Sequence, residues 1–439
     1  MIVGENGAAS ARAILPTTSA DATCPLITID GSTQRMNVRS VAGIAPQRAT
    51  ASDAANSKPS EFPVLACEFA LPTGAGRADI AGTPLPLPKA TPQRIVVIGD
   101  TGCRMKKTDN AWQACLDEKE WPFRTIAQTA AAMAPDLVIH VGDYHYRENA
   151  CPADVAGCQG SPWGYGWDTW RADLFTPGAR LLAAAPWVVA RGNHEECRRA
   201  GQGWFRFLDS RPFEETRSCN DAKNDLIGNF TPPFAVPLAK DLQLIVFDSA
   251  VSGNNPLDPN KPRDAYAFKQ YREQFLQVDE IANAPGINSI FLNHHPILGY
   301  GVYDDGILNG GSKALLSVMK TLHPEAYYPA SVKLAMHGHV HLFEAINFSS
   351  NHPATILSGM AGDELSNVLP EPFPMNVGPA PGVVLEAITH SNQFGFVVMD
   401  RKDTDAAWQI SAYDVKGERK ATCVLNGSKL RCDKTGLLK

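Results

Sequence analysis

Seven residues of this chain have side chains that could hold hard metal cations: Asp100, Asp143, Tyr146, Asn193, His294, His339 and His341. Each lies in, or three residues into, a turn that follows an apolar run. The stretch Gly142-Asp143-Tyr144-His145-Tyr146 follows Leu137-Val138-Ile139-His140-Val141, which reads as a buried strand feeding a glycine turn. That turn leaves a carboxylate at the strand's end, and a carboxylate can bridge two cations. The phenol that follows is an unusual ligand, suited as phenolate to a hard, highly charged ion such as ferric iron. Asp100 stands in Gly99-Asp100-Thr101-Gly102. In Gly192-Asn193-His194-Glu195 an amide oxygen can ligate a divalent metal. The neighbouring His194, outside the coordination shell, can donate a proton. Glu195 can orient that imidazole through a hydrogen bond. His294-His295-Pro296 offers one ligand and one histidine facing a substrate. His339 and His341 alternate, so on an extended segment both point the same way. Singly, each has a structural reading: a turn aspartate, a tyrosine packed under a loop, a core histidine. Jointly, they form an oxygen and imidazole set suited to iron, zinc or manganese.

The elements that must position them are short. Apolar runs at 94–98, 137–141, 187–190, 242–247, 289–292 and 332–336 read as buried strands, and helices are expected over 121–133 and 268–282. Apolar segments near 354–357, 394–399 and 408–413 make the C-terminal half rich in strands. In α/β sheets the carboxyl ends of strands gather on one edge, where sites form. Five of these strand ends carry the candidate ligands, so their convergence on one cleft says more than any single motif.

The ordered set Gly99-Asp100, Gly142-Asp143 with Tyr146, Gly192-Asn193-His194-Glu195, His294 with Pro296, and Gly338-His339 with His341 resembles the calcineurin-like metallophosphoesterase superfamily over about residues 94–343. Many members carry a histidine two residues after the first aspartate, where this chain has Gly102. Many lack a tyrosine three residues after the second, where this chain has Tyr146. Both departures point to the purple acid phosphatase-like branch. The resemblance implies an α/β fold of two mixed β-sheets packed as a sandwich and flanked by helices. It implies ferric iron held by Asp100, Asp143, Tyr146 and His341, and iron, zinc or manganese held by Asp143, Asn193, His294 and His339. It further implies hydrolysis of phosphate monoesters by a metal-bound hydroxide, with His194 as general acid. His295 would touch the phosphate or share the acid role. Arg147 stands four residues after Asp143, where protein phosphatases of the superfamily place a phosphate-binding arginine. A phosphodiesterase or nucleotidase would use the same metals, and the loops 163–170 and 300–305 are candidate walls deciding between them. A non-catalytic module on a decayed enzyme fold would lack a ligand or the proton donor, and here every position is filled.

The 439 residues allow more than one domain. Residues 1–23, rich in Ala, Ser, Thr and Gly, read as a flexible lead. Residues 24–90 read as a small N-terminal β domain, with an Ala/Ser-rich loop at 49–60 and a stiff linker, Pro84-Leu85-Pro86-Leu87-Pro88. Residues 91–439 form the catalytic domain with its C-terminal strands. A net charge of −6 without a basic block argues against a nucleic-acid partner or an anionic membrane surface. The expected partner is a small-molecule phosphate ester, and no oligomeric state follows. The apolar runs fall short of the ~20 residues that span a bilayer. The ten cysteines fall into neighbours, Cys103 with Cys115, Cys151 with Cys158, Cys197 with Cys219 and Cys423 with Cys432, leaving Cys24 and Cys67 to close the N-terminal segment. That pattern implies local disulfides and an oxidising compartment, periplasmic or secreted. The opening residues lack a signal peptide's charged and apolar regions, so an export signal would lie outside this sequence.

Overall fold

A computed structural model describes residues 1–19, 21–48, 54–303, 305–402 and 407–438. Two large mixed sheets dominate it. At the centre of the eleven-stranded sheet, Arg94–Ile98, Leu137–His140 and Trp187–Val189 run parallel, with Ile98 beside His140 and His140 beside Val189. On one side the sheet continues antiparallel through Gly395–Arg401, Trp408–Asp414, Arg419–Asn426 and Lys429–Cys432. The eight-stranded sheet has its own parallel centre: Leu242–Val246, Asn288–Leu292, Val332–His337 and Ala354–Ser358.

Strand periodicity explains how the sheets stack. Successive side chains point to opposite faces, and both faces of these strands are covered. Ile95 and Val97 enter the core between the two sheets, while Val96 and Ile98 enter the core on the outer face. Leu244, Val246, Ile290, Leu292, Leu334 and Met336 meet Ile95 and Val97 from the opposite sheet, and Ile245, Phe291 and Ala335 point outward. The outer face of the larger sheet is covered by the helices Phe123–Ala132, Ala179–Ala184 and Gly201–Phe207. That of the smaller sheet is covered by Pro262–Ala282 and Lys313–Leu322. The result is a β-sandwich flanked by helices.

The N-terminal region departs from expectation. Residues 1–23 hold the strands Ile2–Val3 and Ala9–Pro16, which extend the larger sheet beyond Trp187–Val189. Composition hid this because Ala9 and Ala11 are small yet buried, and such side chains read as linker. Of the strands in 24–90, Asn37–Ser40 and Val64–Ala70 also join the larger sheet. Only Leu26–Ile29, Ser32–Arg35, Ala78–Ile80 and Thr83–Pro84 make a separate four-stranded sheet, so Pro84 is an edge-strand residue rather than linker. In the loop at 49–60, residues 49–53 lie outside the described residues; Ala54–Asn56 forms a 3-10 turn. Five disulfides join Cys24–Cys67, Cys103–Cys115, Cys151–Cys158, Cys197–Cys219 and Cys423–Cys432, matching the expected neighbours.

Ile139 is wholly buried between the sheets, one residue before the end of a strand that carries the site. Ile139→Ala should lower unfolding free energy by about 2–5 kcal/mol in a denaturant titration. Ile44→Ala, at a side chain 70% exposed, should change it by no more than ~0.5 kcal/mol.

Candidate metal centre

Parallel register brings the strand ends to one edge, and each ends in a turn that delivers a polar side chain. Asp100 follows Arg94–Ile98, Asp143 and Tyr146 follow Leu137–His140, and Asn193 and His194 follow Trp187–Val189. The facing sheet delivers His294 and His295 after Asn288–Leu292, and His339 and His341 after Val332–His337. Backbone hydrogen bonds tie the turns together. The N–H of Asp100 donates to Gly142 (3.0 Å), that of Thr101 to Asp143 (3.0 Å) and that of Gly338 to His294 (3.0 Å). Asp100, Asp143 and His339 hold φ of 55°, 57° and 69°, the left-handed region that non-glycine residues seldom occupy. Such strain clusters where a side chain must be aimed against local preference. Gly142, at φ 109°, permits the sharpest turn, and a Cβ there would lie 2.6 Å from His294 Nδ1.

The seven side chains gather around two points. The Tyr146 hydroxyl lies 2.9 Å from Asp100 Oδ1, 2.9 Å from Asp143 Oδ2 and 3.1 Å from His341 Nε2. His294 Nε2 lies 3.0 Å from Asp143 Oδ2 and 3.0 Å from Asn193 Oδ1, which in turn is 3.0 Å from His339 Nδ1. Asp143 belongs to both groups. Asp143, His294 and His339 present ligand atoms within 4.8 Å of one another.

Counting protons tests whether cations fit. The phenol has one proton, yet three acceptors surround its oxygen. His341 Nδ1 faces the Glu364 carbonyl at 2.6 Å, so that nitrogen carries the hydrogen and Nε2 turns a lone pair inward. His294 Nδ1 likewise faces the Val141 carbonyl at 3.0 Å, turning its Nε2 lone pair toward two oxygens. Acceptors packed against acceptors repel unless positive charge lies among them, so the donor set fits metal ions. Without a metal ion, a proton on His294 Nε2 can supply part of that positive charge. Burial opposes charge on His294, but the Asp143 carboxylate overrides it and raises the pKa to about 9. Burial works against the Asp143 carboxylate, but His294 and His194 hold it well below the ordinary range. Burial, with Asp100 and Asp143 nearby, pushes the Tyr146 phenol well up.

Gly102 has a steric reason. A Cβ there would meet the Tyr146 backbone nitrogen at 2.8 Å and its ring at 2.9 Å. Asp173 Oδ2, at 2.9 Å, closes the same space.

Around this centre some expected residues stand elsewhere. Arg147 does not reach it: its Nε donates to Asp173 at 2.5 Å and its guanidinium lies 5.0 Å over the Trp121 ring. Glu195 does not hold His194. Its carboxylate accepts backbone N–H groups of Asp143 (3.2 Å), Tyr144 (2.9 Å), His145 (3.2 Å) and Gly192 (3.2 Å), clamping two turns at once. Burial and the Asp143 charge raise its pKa to about 8. The His194 ring lies tilted over Tyr146, with centroids 3.8 Å apart and Nε2 3.9 Å from Asp143 Oδ2. Its Nδ1 meets Arg199 Nη2 at 2.5 Å and Glu148 Oε1 at 3.0 Å. His295 packs against His339 at 4.3 Å, and its Nδ1 meets Ser249 Oγ at 3.1 Å.

Tyr300, Val302 and Tyr303 line a cavity beside His295, whereas Asp304 lies outside the described residues. The 163–170 stretch is no wall of that cavity: Trp170 is fully buried against Phe207, and Trp167 packs on Phe175.

Four residues had gone unread. Glu148 and Arg199 grip His194, while Asp363 and Arg104 back the tyrosine side. Asp363 lies 3.3 Å from His341 Nδ1 and 2.5 Å from Arg104 Nη2, and the Arg104 guanidinium sits 5.1 Å over the Tyr146 ring. Asp363 had a signal: it closes Gly359-Met360-Ala361-Gly362-Asp363, the turn after Ala354–Ser358, in the same strand-then-turn pattern as the ligands. The others sit in loops without periodicity.

Residues 93–343 match the family model of the calcineurin-like phosphoesterases. Among solved structures, PhoD is similar at 13% identity, covering 84% of this chain and 80% of that one, with a TM-score of 0.53. A purple acid phosphatase, PPD1, from seeds of yellow lupin (Lupinus luteus) matches at 16% identity over 94% of this chain and 74% of its own, with a TM-score of 0.49. GAP50, the anchor in the inner membrane complex of Plasmodium, matches at 14% identity over 77% of this chain and 90% of its own, with a TM-score of 0.36. At such identities the likeness to PhoD is one of fold. No curated protein matches the chain in sequence.

Glu195→Gln keeps the shape but sets an amide N–H₂ against N–H donors. It should cost about 1–3 kcal/mol of stability, read by denaturant titration, and should lower metal retention on dialysis.

Proposed function

The chain belongs to the calcineurin-like phosphoesterase family, and from that we propose that this metal-dependent phosphoesterase hydrolyses phosphate monoesters at a dinuclear centre, with His194 as proton donor. The observation that carries the reading is the surplus of acceptors around two points that share Asp143. Asp100, Asp143, Tyr146 and His341 would hold ferric iron. Asp143, Asn193, His294 and His339 would hold iron, zinc or manganese, each set chosen by ligand hardness. When bound, the ions supply Lewis acidity toward the phosphoryl oxygens and a nucleophilic water at neutral pH.

The rest is the work of this chain's side chains. His194 Nδ1 lies beside both the Arg199 guanidinium and the Glu148 carboxylate, and Glu148 can accept a proton from it. With Nδ1 protonated toward Glu148, the imidazolium would carry its second proton on Nε2, the nitrogen turned toward Asp143, and a departing alkoxide would take that proton and leave a neutral ring. Burial and the Arg199 charge hold the His194 pKa well below its ordinary range. An ester's negative charge beside Nε2 opposes both effects and favours the proton there. Glu148 pairs with Arg199 and keeps the guanidinium from facing a substrate uncompensated. His295, on the cavity side, is placed to touch the phosphate or share the acid role. Arg147, buried against Asp173, has no part in this.

Five disulfides fit an oxidising compartment, and among the described residues no helix is long and apolar enough to cross a membrane. The disulfides support a periplasmic or secreted enzyme.

Turnover of p-nitrophenyl phosphate beside bis(p-nitrophenyl) phosphate tests the substrate class, and faster hydrolysis of the bis ester would refute the monoester reading. With the monoester, His194→Ala should lower kcat by roughly 10²–10⁴-fold while metal content stays at the wild-type level. Tyr146→Phe tests the metal assignment. Protein purified in air should show a visible charge-transfer band that this change abolishes, and elemental analysis should find iron lost. A colourless wild-type protein holding zinc or manganese alone would overturn the ferric assignment.

A further inference from the structure

The cavity beside the metal centre has a chemistry of its own. It encloses about 170 Å³ and is lined at the metal side by His295 and His339. Whatever is attached to a phosphate held at the metals has this space next to it. The chain has 46 acidic residues against 40 Lys and Arg, yet neither aspartate nor glutamate is among the described residues lining the cavity. Lys313 is, and it opens the helix Lys313–Leu322. Among the described residues its ammonium has no ion-pair partner, and the side-chain amides of Asn254 and Asn309, on the same cavity, have no hydrogen-bond partner in the protein. A lysine offers donors only, and an amide offers donor and acceptor. Tyr303 adds a phenol, and among the described residues the lining carries no negative charge.

We propose that the alcohol this enzyme releases carries a second anionic group, a carboxylate or a further phosphate, and that Lys313 receives it with Asn254 and Asn309 beside it. The proposal rests on the monoesterase reading and makes it specific. The metals hold the phosphoryl group that is cleaved, and Lys313 holds the charge that stays on the leaving alcohol. A neutral alcohol of the same size leaves the ammonium unmatched and loses one charge-assisted hydrogen bond, a difference of about tenfold or more in kcat/KM.

The test uses the intact metal-loaded enzyme with two esters that differ at one carbon: 3-phosphoglycerate, which has a carboxylate, and glycerol 3-phosphate, which has a hydroxyl there. The wild type should favour 3-phosphoglycerate in kcat/KM by about tenfold, and Lys313→Gln should lower that ratio toward one. Equal kcat/KM values in the wild type, or a ratio that Lys313→Gln leaves unchanged, would overturn the proposal. If both monoesters resist cleavage while bis(p-nitrophenyl) phosphate is hydrolysed, the monoesterase reading fails. The subsite is then decided by inhibition of bis-ester hydrolysis. Glycerate inhibiting better than glycerol, with the advantage lost in Lys313→Gln, supports it; equal inhibition, or an advantage that survives, overturns it.

Discussion

Lone pairs press against one another at the rim of this sandwich, and the fold holds them there against their repulsion. Two carboxylate oxygens and an imidazole nitrogen crowd together around the Tyr146 hydroxyl, and oxygens and imidazole nitrogens meet again at Asn193 and His294. Left-handed backbone at Asp100, Asp143 and His339 adds strain of order 1–3 kcal/mol each. Nothing local favours this arrangement. It persists because the strands behind each turn are buried on both faces and leave the turns nowhere else to go.

The centre is shared between the two sheets. Asp100, Asp143, Tyr146 and Asn193 arrive from one, and His294, His339 and His341 from the other. The apolar layer between the sheets is therefore what sets the distance between the two halves of the site. Supporting polar groups follow the same division. Glu195 ties the Asp143 turn to the Asn193 turn within one sheet, while Asp363, after a strand of the second, pairs with Arg104, which follows Arg94–Ile98 of the first and lies over the tyrosine.

Much of this was legible because the strands are short, apolar and punctuated. The run 94–98 is observed as Arg94–Ile98, and the runs ending near 141, 190, 292 and 336 appear within a residue or so of expectation. Periodicity failed where it carries no signal. Ala9 and Ala11 pack as well as larger residues but read as spacer, so in sequence the N-terminal strands look like a flexible lead. Gly201–Phe207 is a helix opened by Gly-Gln-Gly, a composition that propensity marks as turn. The ligand set could be read because ligand chemistry limits residue types. The residues behind it could not: an aspartate, a glutamate or an arginine that orients another side chain looks, in one dimension, like any solvated charge. Arg147 shows the converse error. Its spacing from Asp143 suggested a role at phosphate, yet burial against Asp173 and Trp121 gave it a structural one.

Gly102 is closed in from three directions: a Cβ there would meet the Tyr146 backbone nitrogen at 2.8 Å and both Asp173 Oδ2 and the Tyr146 ring at 2.9 Å. Removing the phenol would relieve only the last of these contacts. Redesigning the centre with a bulkier residue at 102 thus calls for moving the turn's backbone and Asp173 as well as exchanging the tyrosine.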